Sequence, residues 1–76
     1  MPCTQEIIEE INILMLYNLD TNQEGIKVHS SAKPEAIEAT QRLFDKGIVS
    51  QADGGYLTNL GITAAEHAQA LIQILK

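Results

Sequence analysis

The sequence predicts a small α+β domain, mostly helical, with its elements in the order helix, short strand, helix, β-hairpin, helix. Three observations carry this expectation. Residues 39–61, ATQRLFDKGIVSQADGGYLTNLG, write out a helix, a glycine stop, a tight hairpin and a new helix start. The stretches at either end repeat apolar residues at helical spacing. Seventy-six residues, 45% of them hydrophobic and 20% charged, suffice for one globular domain that buries roughly 60% of its unfolded surface, and leave nothing for a second.

Thr4 is placed to cap the first helix, with Gln5 and Glu6 putting polar and negative character in the first turn, where the helix dipole favours it. The spacing predicts a helix over residues 5–18. Ile7, Ile8, Ile11, Leu14 and Met15 form its stripe, and Ile13, Leu16, Tyr17 and Leu19 widen the apolar arc beyond one face. Either the rest of the domain packs around this helix, or its second face meets another copy. Residues 19–31 are polar and turn-rich. Within them Gly25 breaks any helix, and Ile26 and Val28 alternate with Lys27 and His29, which predicts a short strand over residues 25–29.

Pro34 suits a first helical turn, because its missing N–H costs nothing there. A second helix is expected over residues 34–46, with Ala36, Ile37, Thr40, Leu43 and Phe44 inward and Glu35, Glu38, Gln41, Arg42 and Asp45 outward. Gly47 is a C′ glycine, and Ile48 beyond it can touch Leu43 as in a Schellman stop. Residues 48–51 and 56–57 flank Ala52, Asp53, Gly54 and Gly55, whose glycines supply the positive φ of a tight turn. The last helix starts at Thr58 or at Thr63, the latter heading a capping box with Glu66. Leu60, Ala64, Ala68, Leu71 and Leu75 make its expected inner face, widened by Ala65, Ile72 and Ile74. Small residues at 61, 64, 65 and 68 predict close approach to the first helix.

Strings along nearly the whole chain resemble a known family: QEGIKVHS (residues 23–30), AIEATQRLFDKGIVSQADGGYLTNLGI (residues 36–62) and AAEHAQAL (residues 64–71). It consists of short bacterial proteins of uncharacterised function, some labelled as DNA-binding proteins or transcriptional regulators. Through KGIV and GGYLT the second half is also similar to winged helix-turn-helix regulators. Together these resemblances imply a single reduced winged-helix-like domain over residues 1–76, reduced because a full second helix has little room before residue 34. They imply no site, ligand or reaction, and function does not follow from fold.

Charge bears on the DNA-binding label. The formal net charge is −5, and the first 24 residues carry Glu6, Glu9, Glu10, Asp20 and Glu24 with no lysine or arginine. Phosphate neutralisation supplies most DNA affinity, so a dedicated binder shows a basic face. If the helix over residues 34–46 enters a major groove, Gln41 and Arg42 reach base edges. Lys27, Lys33 and Lys46 then meet phosphates, and Gln51 sits at the wing. Glu35, Glu38 and Asp45 share that face with the wrong sign, so binding to duplex DNA is expected to be weak and salt-sensitive. The rival expectation is a protein-interaction domain, a homodimer or partner-docking module whose apolar surface comprises Ile13, Leu16, Tyr17, Ile72 and Ile74.

Enzymatic constellations are nearly absent. His29 and His67 lie far apart, and Cys3 can neither form an intramolecular disulfide nor build a thiolate metal cage alone. Glu9 with Glu10, and Glu35 with Glu38, read as solvated helix faces. Gly54 and Gly55 read as turn glycines rather than a phosphate loop. No catalytic residue, metal, cofactor or small-molecule substrate is expected. With no basic segment before an apolar run and no membrane-length apolar stretch, a cytoplasmic location is expected.

Overall fold

A computed structural model describes residues 3–21 and 24–76. The elements are α1 (Gln5–Leu14), β1 (Ile26–Lys27), α2 (Pro34–Asp45), β2 (Val49–Gln51), β3 (Gly54–Leu57) and α3 (Asn59–Leu75). The fold is α+β, mostly helical, in the predicted order. Residues 22 and 23 of the predicted polar turn, and Gln23 of the first family-like string, lie outside the described residues.

Thr4 caps α1, accepting the Ile7 N–H at 3.2 Å. The helix ends at Leu14, four residues short of the expected stop, because other groups take up its last carbonyls. Gln69 Nε2 donates to the carbonyls of Leu14 at 3.1 Å and Tyr17 at 2.8 Å, while the Asn18 side chain accepts the Asp20 N–H and turns the chain. A tightened turn with i→i−3 bonds from Leu16 and Tyr17 lies between.

α2 begins with Pro34 at its first turn and closes with a full Schellman motif. Gly47 N–H donates to the Phe44 carbonyl at 3.0 Å, Ile48 N–H donates to the Leu43 carbonyl at 2.9 Å, and Gly47 takes φ +76°.

The three strands form an antiparallel sheet in the order β1-β3-β2. The turn proper is Ala52 and Asp53, and the two glycines open β3 rather than completing the turn. A tertiary contact explains the first of them. A Cβ on Gly54, at φ +125°, would stand 2.7 Å from the Ile26 carbonyl oxygen of β1. Between Val49 and Gln51 the register slips, and the Ser50 hydroxyl accepts the Tyr56 N–H at 2.9 Å.

Of the two predicted starts, α3 takes the first. Thr58 accepts the Gly61 N–H at 3.1 Å, and its hydroxyl donates to the Gly47 carbonyl at 2.6 Å, joining the end of α2 to the start of α3. Gly61 abuts the Ile48 carbonyl, where a Cβ would collide. Ala65 meets the core formed by Ile13, Leu14, Tyr17, Ala39, Leu43 and Val49. α1 is therefore a neighbour of α3, as the small residues predict, although Gly61 serves the hairpin instead.

Candidate interaction surfaces

Two predicted dimer-face residues are not on the surface. Ile13 and Tyr17 are each 4% exposed and belong to the core, because the widened apolar arc of α1 is covered by α2, α3 and the sheet. The Tyr17 hydroxyl donates to the Gly55 carbonyl at 3.1 Å, and burial pushes its phenol up to about 12. Leu16 is 61% exposed, Ile72 half-buried and Ile74 78% exposed.

The inner face of α2 is rotated from the expected one. Ala39, Thr40 and Leu43 are buried, whereas Ile37 and Phe44 are exposed. Arg42, expected to point outward, lies against α1. Its Nε donates to Glu10 Oε2 at 2.8 Å, its Nη2 donates to the Glu6 carbonyl at 3.2 Å and lies 3.8 Å from Glu9 Oε1. Lys46, one helical turn on, pairs with the other Glu10 oxygen. Glu10 is thus no solvated face residue but a 7% exposed carboxylate held between two cations. Burial pushes its carboxyl up most strongly of any one influence. The hydrogen bonds and charges of Lys46 and Arg42 together outweigh burial and hold it below its ordinary value. The same pairing raises the Arg42 guanidinium, chiefly through the hydrogen bond to Glu10.

Three of the residues expected to grip DNA are engaged within the chain. Arg42 and Lys46 are committed to Glu10, and Gln41 donates to Asp45 of its own helix at 3.1 Å. Gln51 is exposed at the end of β2, while Lys27 on β1 and Lys33 at the α2 cap are exposed with no carboxylate partner among the described residues. One signal for the ionic cluster lay in the sequence: Arg42 and Lys46 are four apart on one helix, opposite Glu6, Glu9 and Glu10 of another.

Residues of the last helix expected inside are outside as well. Along α3, Leu60 is 58% exposed, Leu71 52% and Leu75 71%, with Ile74 beside them. Only Gly61 and Ala65 of this helix are buried, so its C-terminal half offers apolar side chains to solvent. Between Glu66 and Lys76 the helix carries no lysine, arginine or carboxylate. Two concavities flank α1 as well. One of about 350 Å³ is lined chiefly by Ile13, Leu16, Val28, Ala32 and Ala36, and one of about 300 Å³ shares Ile13 and Ala36 and reaches Lys33, Glu9 and Glu35. Among the described residues no helix is long and apolar enough to cross a membrane.

A family model described as "Family of unknown function (DUF5669)" matches residues 1–76, and the chain belongs to that family. No curated protein and no solved structure gave a match.

Proposed function

We propose that this chain is a non-enzymatic protein-interaction domain that pairs with a second copy of itself through the outward stripe of α3 and does not bind duplex DNA directly. The observation that carries this reading is the exposure of Leu60, Leu71, Ile74 and Leu75 on a helix without charge between Glu66 and Lys76. Apolar side chains held in solvent along one helix in this way mark an interaction site.

The stripe is self-complementary. Leu60, His67 and Ile74 are seven residues apart and follow one side of the helix. In an antiparallel pair about a two-fold axis at His67, Leu60 of each copy stands opposite Ile74 of the other. The four apolar residues together expose more than two side chains' worth of surface per copy. Covering both copies removes that apolar surface from water, which is the driving force for pairing. Against DNA stand the net charge of −5 and the engagement of Arg42 and Lys46 by Glu10.

Sedimentation velocity on the wild type and on Ile74→Glu tests the reading. Ile74 is 78% exposed, so the variant keeps its fold by circular dichroism while losing self-association. A wild type that stays monomeric at about 100 μM overturns the dimer. A mobility shift on duplex DNA that survives about 200 mM salt overturns the exclusion of DNA.

A further inference from the structure

β1 is an edge strand, and its backbone shows which groups remain unused. In the antiparallel pair, Ile26 stands opposite Gly55 and Lys27 opposite Gly54, and the Val28 N–H donates to the Asp53 carbonyl at 2.8 Å. Hydrogen-bonded pairs alternate with non-bonded ones, so Ile26 and Val28 bond across to β3 and the N–H and C=O of Lys27 point away from the sheet. Around this edge lies the 350 Å³ concavity, whose floor is apolar and whose rim includes Lys27 and His29. Exposed strand edges template the addition of another strand, and pockets beside them select its alternate side chains.

Charge narrows the occupant. Among the described residues Arg42 and Lys46 are neutralised by Glu10, whereas Lys27 at this concavity and Lys33 at the adjoining one have no carboxylate partner. Glu9 and Glu35 share the second concavity with Lys33, which leaves the Lys27 end the more positive. Pairing with the β1 of a second copy would bring one Lys27 towards another, a like-charge arrangement that disfavours self-pairing.

We propose that β1 and its flanking groove bind an extended acidic, apolar segment of a partner protein. The segment adds a fourth strand by hydrogen-bonding the Lys27 N–H and C=O. It seats an aliphatic side chain on Leu16, Val28, Ala32 and Ala36 and sets a carboxylate against Lys27. No α3 residue lines this groove, so a dimer paired through α3 presents it twice.

Fluorescence anisotropy with a labelled eight-residue peptide of alternating valine and aspartate tests the proposal, with a valine–lysine peptide as control. The aspartate peptide is expected to bind with a dissociation constant on the order of 10–100 μM and the lysine peptide at least about tenfold more weakly. In Lys27→Glu this preference inverts, and in Ile74→Glu it is unchanged, which separates the groove from self-association. Amide NMR shifts on binding are expected to centre on residues 26–28. Equal binding of both peptides, binding of neither, shifts centred on α3, or shifts at Lys27 produced by raising the protein concentration alone would each overturn the assignment.

Discussion

Replacing Glu10 by Gln removes one charge from the junction of α1 and α2 while keeping the side-chain shape. The carboxylate is 7% exposed and accepts from Arg42 Nε at 2.8 Å on one oxygen and from the Lys46 ammonium on the other. A glutamine can still accept from one of them, but its amide N–H groups face the other cation with the wrong polarity. A hydrogen bond between charged groups contributes about 1.5–3 kcal/mol. The Lys46 side chain is 50% exposed, so solvent screening reduces its own share to about 0–1 kcal/mol. A net loss of about 2 kcal/mol follows, from a domain whose size implies a total of roughly 4–11 kcal/mol. Thermal melts followed by circular dichroism should show Tm lower by about 8–16 °C at neutral pH. The effect depends on pH in a fixed direction. Because the folded carboxyl lies below its ordinary value of 4.5, the ionic contribution is complete above that pH and disappears as pH falls through the folded value. Wild type and variant should therefore converge in acid. Equal melting temperatures at pH 7, or a difference that persists undiminished at about pH 2, would refute the assignment of Glu10 as an ionised clasp.

Further substitutions probe the joints of the fold. Gly61→Ala should destabilise by about 1–3 kcal/mol in chemical denaturation, reversing the gain of roughly 1 kcal/mol that alanine brings to an open helix position, because its Cβ meets the Ile48 carbonyl. Thr58→Ala should lower stability by about 1–2 kcal/mol in the same assay, since Thr58 both caps α3 and bonds the Gly47 carbonyl. Tyr17→Phe removes the bond to Gly55 and should cost about 1 kcal/mol. In the wild type the Tyr17 phenol stays protonated in the fold beyond its ordinary value of 10.0, so its contribution holds below pH 10 and is lost as pH rises towards about 12. Alkaline denaturation of Tyr17→Phe should lack that component.

The order of elements was legible because its signals are local. Thr4, Pro34, Gly47 and Thr58 each act on backbone groups within a few residues, and each does so where its sequence context indicates. Which way a helix faces was less legible. Arg42 reads as an outward charge from its own helix, yet it turns inward because Glu10 waits on another. Ile37 and Phe44 lie close enough to Thr40 and Leu43 on the wheel to suggest a wider inner face than the structure uses. In α3, helical periodicity cannot distinguish a side chain that meets its own core from one offered to a partner, so Leu60, Leu71 and Leu75 read as core. The glycines at 54 and 55 were visible as turn formers, whereas the close approach of β1 that requires Gly54 is a tertiary fact.

Amide hydrogen exchange at low and high protein concentration tests the α3 pairing most directly. In a monomer, residues 71–75 lie beyond the Gln69 bonds to the core, have few buried contacts and open by fraying at low cost. Pairing covers Leu71, Ile74 and Leu75 and raises protection there as concentration increases, with α2 unaffected. Protection in α3 that is independent of concentration, or a rise confined to Pro34–Asp45, would contradict it.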